Sequence, residues 1–298
     1  MTKPHLRILA SGFIAVTAMS IVPVLVKSTV ANEVTISIVR LGIAFILFTP
    51  WAIFHLKSFS KRDWISLSII GAVFALHWFS YFTSIKLATP TISALAISTY
   101  GVQYLVLAWL FNGDRFAMIE WIAVAVCFFG CTMVVPNWSL DNDTSRGILI
   151  GLFSALLYDS LPLLHQKAVQ NTSILNNTLQ AWGQFGFALL CFLPFWKSGN
   201  WQLQPNDWYG LIVLGVVSTV IAHGLWIKVT KELAAPHVSM MYYLYVPLAM
   251  LQSVCFLDES ISTEKILGAS MIVSSNIGIS IYRATQVRHF SKQAINSR

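Results

Sequence analysis

The sequence predicts an all-α membrane protein of ten transmembrane helices, built as two five-helix repeats of inverted topology. Three observations predict it. The composition suits no soluble domain, ten apolar segments have the length of a membrane span, and a set of residues recurs in order 139 to 146 positions further along the chain.

Apolar residues make up 56% of the 298 residues and charged residues 10%, with a mean hydropathy of +0.68. A soluble domain carries about a quarter charged residues, so this chain lacks the polar groups to cover its own surface. A helix needs roughly 20 apolar residues to cross the hydrocarbon core, which leaves room for ten spans and short loops. The net charge of +7 resides in the loops and tails. It implies membrane lipids as a partner and no nucleic acid. Cys127, Cys131, Cys191 and Cys255 all fall in apolar stretches. No histidine stands at ligand spacing from the Cys127/Cys131 pair, so they read as small buried hydrophobes rather than metal ligands or disulfides. No cofactor is implied.

The first apolar run, Ile8 to Val26, is longer than the apolar region of a signal peptide, although Thr29-Val30-Ala31 resembles a cleavage site. It reads as a first span over 7–27. The other spans are predicted at 34–54, 64–86, 90–111, 116–136, 147–168, 176–196, 207–230, 236–256 and 264–283. Each is bounded by charge, proline or a polar cluster. Short connections make neighbours antiparallel. Lipid tolerates only closed backbone hydrogen bonding, and barrel strands would be shorter and alternate in polarity, so these runs are helices.

Lysine and arginine set the orientation. With the N-terminus in the cytoplasm, that side receives 13 of the 19 basic residues, the other side receives Lys27, Lys86, Arg146, Lys197 and Lys265, and Arg40 lies within a span. Both termini are then cytoplasmic. Trp51, Trp64, Trp138, Trp196, Trp201 and Trp208 cluster at segment ends, as interfacial anchors do.

Internal repetition is visible. Asp63-Trp64, Leu67 and Gly71 recur as Asp207-Trp208, Leu211 and Gly215, and Pro50 recurs as Pro194. His77, Leu87, Ala88 and Pro90 recur as His223, Leu233, Ala234 and Pro236, and Gly12 and Pro23 recur as Gly151 and Pro162. The order holds across five successive segments. The chain therefore divides into repeats over 7–136 and 147–283, followed by a basic cytoplasmic tail over 284–298. A repeat with an odd number of spans places its second copy upside down, and such folds bind substrate near the midplane where the halves meet.

Further residues carry a family resemblance. They are Arg40-x-x-x-Ala44 in the second segment, Gly113-Asp114-Arg115 closing the fourth, Tyr245-Val246-Pro247 in the ninth, and Asp258-Glu259 after it. On these the two halves resemble EamA domains of the drug/metabolite transporter superfamily, over about 7–283. Met19 stands where the family usually has an aromatic, and Val102 where a proline often occurs. The resemblance implies a central cavity lined by the first, third, fourth, sixth, eighth and ninth helices. It also implies carriage of amino acids or other small metabolites, commonly outward, in a bacterial inner membrane.

Candidate site residues follow from depth and pattern. Asp159 falls near the middle of its span, where a charge costs roughly 2.5–3.5 kcal/mol on insertion scales. It reads as a pathway residue or as a carboxyl tying two helices together. Its stripe carries Gly151, Ala155, Pro162 and Gln166, and its counterpart in the first repeat is Ser20. His77 and His223 match across the repeat and read as proton-coupling groups, substrate ligands or inherited packing. Arg40, Lys27 and Lys86 read as structural, snorkelling residues. Trp78, Tyr81 and Phe82 in the third segment, Ser93, Ile97, Tyr100, Gln103 and Tyr104 in the fourth, Trp226 in the eighth, and Ser239, Tyr242, Tyr243, Tyr245 and Ala249 in the ninth supply aromatic and hydroxyl groups at mid-depth. As a set they suit a cavity that stacks on a substrate and hydrogen-bonds its polar end. Singly, each suits helix packing or lipid equally. Gln103, Gln252 and Asn276 call for interhelical partners.

The residues thus point to a secondary transporter, compatible with proton coupling and with a homodimer, and the resemblance implies that it exports a small-molecule substrate such as an amino acid. The alternatives are a multidrug carrier, a carrier of a nucleoside-derived metabolite such as S-adenosylmethionine, a channel, or an intramembrane enzyme. No H-E-x-x-H, glycine-flanked aspartate pair or nucleotide-binding loop occurs in the chain, which argues against the enzyme and against ATP-driven transport.

Overall fold

The computed structural model describes residues 3–54, 59–100, 102–103, 106–107, 110, 117–135, 138–171, 177–232 and 241–296. Every regular element among them is helical. In chain order these are α1 (Lys3–Ser20), α2 (Val22–Ser28), α3 (Glu33–Ile53), α4 (Lys61–Leu87), α5 (Pro90–Ser98), α6 (Met118–Val134), α7 (Asp143–Asn171) and α8 (Asn177–Phe192). After a tight 3-10 stretch, Leu193–Ser198, come α9 (Pro205–Val213), a π-helical stretch (Leu214–Ile221), α10 (Ala222–Glu232), α11 (Tyr245–Leu257) and α12 (Thr263–Asn296). The Gly113-Asp114-Arg115 motif, Tyr104, Pro236 and Ser239 lie outside the described residues, as do the side chains of Pro162 and Gln166.

Each predicted span coincides with helix over its described residues, but several differ in detail. The first is broken at Ile21, where Pro23 opens α2. The seventh tightens into its 3-10 turn over Pro194. α12 runs on to Asn296, past the predicted end of its span at 283, because no glycine or proline interrupts that stretch. Four stretches among the described residues are long and apolar enough to cross a bilayer: Arg7–Ser28, Glu33–Ile53, Lys61–Leu87 and Pro205–Trp226. Met118–Val134 and Tyr245–Leu257 are shorter apolar helices.

The recurring residues have physical jobs. Asp63 and Asp207 both close the first turn of a helix. Asp63 Oδ2 accepts the Ser60 N–H at 2.6 Å and Asp207 Oδ2 accepts the Gln204 N–H at 3.1 Å. Gly71 and Gly215 are points of close helix approach: a Cβ at Gly71 would sit 2.4 Å from Phe187 Cβ, and one at Gly215 would sit 2.6 Å from Ile43 Cδ1.

Packing is mostly between the halves, and it is reciprocal. α4 lies along α7 and α8, while α1 lies along α10 and the π stretch meets α3. α5 packs on α7, while α11 packs on α1. α3–α8, α5–α11 and α6–α12 pair with each other directly. Exchanging each element for its repeat counterpart turns these named contacts into one another. Polarity runs inside out. Phe54, Met118 and Ile46 are 84%, 76% and 68% exposed on the outside, whereas Ser37, Arg40, His77, Asp159 and Thr219 are buried. That suits a protein whose outer solvent is lipid.

Candidate functional site

Both halves interrupt a helix within two residues of corresponding points of the repeat. α5 ends at Ser98 with Thr99 in a turn, and Tyr243 and Leu244 form a turn just before α11. Breaking a membrane helix is tolerated where the backbone lines a cavity or is buried in protein, and such breaks are where carriers bind their substrates. Here they gather tyrosines. Tyr100 meets Tyr242 edge-on at 5.2 Å and stacks on Tyr243 at 5.7 Å. Tyr242 stacks on Tyr245 with centroids 5.6 Å apart and planes 6° from parallel. Trp226 approaches Tyr242 at 5.5 Å, and Tyr158, a residue the sequence reasoning passed over, stacks on it at 6.3 Å.

A short direct bond joins the halves here. The Tyr81 and Tyr245 hydroxyls are 2.6 Å apart. The Tyr81 ring stacks on His77 at 6.0 Å, and His77 lies 5.1 Å from Tyr158. Trp78 packs on Phe74 at 4.9 Å and on Phe82 at 5.4 Å.

Two ionisable side chains border this cluster. Asp159 is 2% exposed, and its Oδ2 has no hydrogen-bond partner among the described residues. Arg40 is also 2% exposed, which corrects the snorkelling reading: its position on α3 faces the bundle interior. Its Nε and Nη2 donate to Thr219 Oγ1 at 3.1 and 3.0 Å, and its guanidinium lies 4.2 Å from the Trp78 ring centroid and 5.3 Å from that of Phe82. Thr219 is held by donating to Leu214 O at 2.8 Å within the π stretch, while Ser218 donates to Ala18 O on α1 at 2.7 Å. Single π turns in helices recur at functional sites.

Not every predicted residue joins the site. Gln103 is tied into packing, donating to Thr99 Oγ1 at 2.8 Å and Leu152 O at 3.2 Å. His77 Nδ1 engages Ser154 Oγ at 2.9 Å while Ser154 Oγ donates to His77 O at 3.0 Å, so this ring staples α4 to α7. His223 differs from its repeat partner. Its Nδ1 contacts Ser218 O at 3.2 Å and its ring meets Phe185 edge-on at 6.1 Å. Gln252 and Asn276 find interhelical partners. Gln252 Oε1 accepts from Ser20 Oγ at 3.1 Å, and Asn276 Oδ1 accepts the Val102 N–H at 3.0 Å. That N–H is what a proline at 102 would lack.

A polar network closes one end of the bundle. Lys27 donates to Lys86 O at 2.8 Å and Ala88 O at 2.6 Å, and Lys86 donates back to Thr29 O. These lysines thus bind helix-end carbonyls rather than snorkelling. Asp207 Oδ1 accepts from Thr29 Oγ1 at 2.8 Å and the Val30 N–H at 3.1 Å. Glu259 takes Thr91 Oγ1 at 2.9 Å, Lys265 Nζ at 3.0 Å and the Ser253 hydroxyl. Burial pushes the Glu259 carboxyl up, but donors from Ser253, Thr89 and Lys265 outweigh it and hold the group below the usual carboxylate range. All four cysteines are free thiols, and no cluster of metal-ligating side chains occurs among the described residues.

A multi-pass helical membrane protein with a polar, aromatic site at paired helix breaks belongs to the carriers in type. The family model described as the EamA-like transporter family matches twice, over residues 6–135 and 145–281, so the chain belongs to that family of small-molecule membrane transporters. None of the curated proteins matches it. One similar solved structure, described only as the crystal structure of a protein, is 15% identical, with a TM-score of 0.61 over 94% of this chain and 98% of its own. At that identity the likeness shows the fold alone.

Proposed function

We propose that this chain is a secondary transporter that exports amino acids or similar small metabolites. It works by alternating access between two inverted five-helix halves, with ten spans and both termini in the cytoplasm of a cell inner membrane. The observation that carries this reading is the tyrosine cluster at the matched helix breaks, bridged between halves by Tyr81 and Tyr245 and bordered by the buried Asp159. Stacking rings hold an apolar or planar body, and hydroxyls and charges orient its polar end.

The reciprocal packing supports the inverted arrangement, since halves related by a two-fold axis can exchange conformations. In the orientation given by the basic residues, the Lys27–Lys86–Asp207 network lies on the non-cytoplasmic side and holds that side closed. Opening it while the cytoplasmic side closes completes the cycle. An ion gradient supplies the energy, and with His77 committed to Ser154, His223 is the imidazole better placed to carry a proton.

Proteoliposomes loaded with labelled amino acids, nucleosides, S-adenosylmethionine or a hydrophobic cation test this. Wild-type protein releases one chemical class faster than protein-free vesicles, and Asp159→Asn lowers that release on the order of tenfold, as expected for losing one charge-assisted hydrogen bond. Release of every compound at the protein-free rate defeats the reading. Selective release of the nucleoside-derived compound or the cation replaces the amino-acid substrate by that class.

A further inference from the structure

Arg40 is the one strongly basic group that the described residues place inside the bundle, away from both ends. A guanidinium has five N–H donors in a planar fork. Nε and Nη2 bond a single oxygen, Thr219 Oγ1, and Nη1 makes no hydrogen bond among the described residues. The two ion pairs among those residues, Arg146–Asp143 and Lys265–Glu259, both lie at the ends of helices. Among the described residues, the polar groups that interact electrostatically with Arg40 are the Tyr81 and Tyr245 phenols and the His77 and His223 imidazoles, and none is an anion at neutral pH by its ordinary value. Trp78 and Phe82 offer ring faces but no counter-charge.

A buried charge left without a partner is strongly destabilising, and a packing role could be filled by a neutral side chain at no such cost. The opposite charge is inside the same bundle and yet apart. Asp159 makes no ion pair with Arg40, and its electrostatic neighbours are Tyr158 and Tyr243 rather than the guanidinium. The aromatic cluster therefore has the Arg40 guanidinium at its Tyr81–Tyr245 end and the Asp159 carboxyl at its Tyr158–Tyr243 end, linked by the stacked Tyr242.

We propose that Arg40 is the anchor for a carboxylate on the transported molecule, binding it through the edge of its guanidinium left unfilled by Thr219. This rests on the transporter reading above and deepens it. A substrate with a carboxylate at Arg40 and an ammonium toward Asp159 would satisfy both poles at once, whereas a purely cationic compound would leave Arg40 bare. Arg40 thereby sets the substrate class.

The test is thermal unfolding of the purified full-length protein with phenylalanine, leucine and threonine, each as free acid, carboxamide and decarboxylated amine, beside release of the same compounds from proteoliposomes. The expected result is that a free acid stabilises the protein, with its amide and amine on the order of tenfold weaker or more. Arg40→Gln then abolishes the preference for acid over amide, and Arg40→Lys restores part of it. Arg40→Gln could fail to fold, and the wild-type comparison of acid with amide stands without it. Amides or amines binding as well as acids overturn the anchor, as does an unchanged acid preference in Arg40→Gln whose unliganded Tm has fallen. Stabilisation by no free acid also overturns it. Release of an amine or amide above the protein-free rate in any of these cases leaves the transporter reading intact, and release of nothing sinks both.

Discussion

Asp207→Asn isolates the network that closes the Lys27 end. The wild-type carboxylate accepts from Thr29 Oγ1 at 2.8 Å and Val30 N at 3.1 Å, both across to the α2–α3 connection, and from Gln204 N at 3.1 Å within its own helix start. The amide keeps the volume and one acceptor oxygen but loses the charge. Hydrogen bonds to charged groups contribute about 1.5–3 kcal/mol and neutral ones about 0.5–1.5, so each of the two cross-connections weakens by about 1 kcal/mol. The cap to Gln204 meets an NH2 instead of an oxygen and is lost, at about 1 kcal/mol more. Only the two cross-connections depend on the ends being together. Their combined loss of about 2 kcal/mol shifts the closed-to-open ratio about 30-fold.

Ser37 is a suitable reporter of that shift, being fully buried on α3 with a hydroxyl that has no partner among the described residues. With Cys127, Cys131, Cys191 and Cys255 replaced, Ser37→Cys should label slowly with an impermeant maleimide added from the non-cytoplasmic side. Adding Asp207→Asn should raise the labelling rate by about tenfold or more, the residual bonds of Lys27 and Lys86 retaining some closure. An unfolding stability lowered by about the full 3 kcal/mol with no change in labelling would refute the clamp and leave Asp207 as a helix cap alone.

Two further outcomes follow from the same geometry. Ser154→Ala removes the two bonds made by the Ser154 hydroxyl to His77, leaving Nδ1 its 3.1 Å contact with Ser154 O, and should cost about 1–3 kcal/mol of stability; substrate release per folded molecule should hold at the wild-type level, and its collapse at unchanged Tm would move His77 from packing into the transport path. Because its carboxyl is held below the ordinary range, Glu259 contributes stability that is complete above the unfolded value of about 4.3 and fades only as pH falls through the lower folded value. The difference in Tm between wild type and Glu259→Gln should therefore be constant from about pH 8 to 5 and shrink below about 4; a difference already shrinking between pH 7 and 5 would contradict the assignment.

Much of the fold was legible because its determinants are local and periodic. Spanning length, proline at helix starts and aspartate in a first turn need no tertiary knowledge, which is why Asp63-Trp64 and Asp207-Trp208 could be paired by eye. The site was less legible. The breaks at Thr99 and at Tyr243–Leu244 carry no glycine or proline among the described residues, and Val102 occupies the position where a proline would have announced the first of them. Tyr158 and Thr219 sit in runs whose periodicity says helix and no more. Arg40 was visible as a charge within a span. Whether it rises to the interface or points inward depends on which face α3 turns to α4 and the π stretch, and a pattern of 3.6 residues does not contain that.

The repeat itself separates structure from chemistry. Residues kept in both halves, such as Asp63 with Asp207 and Gly71 with Gly215, cap helices and let them approach, tasks that each copy must perform for itself. The two charges at the tyrosine cluster are not duplicated. At the displacement that relates Pro50 to Pro194, Arg40 corresponds to Gln184, and Asp159 corresponds to Ser20. A two-fold fold with matched charges at its centre would present a substrate with the same group twice. If the proposed site holds, one guanidinium contributed by the first half and one carboxyl by the second give the centre a direction, and a molecule with unlike ends would bind there in one orientation. His77 and His223 stand between these cases, duplicated in sequence and divergent in contact, one fastened to Ser154 and the other resting against Phe185. Polar residues that occur once, inside, in a chain that otherwise repeats are therefore the ones to which substrate selection should be traced.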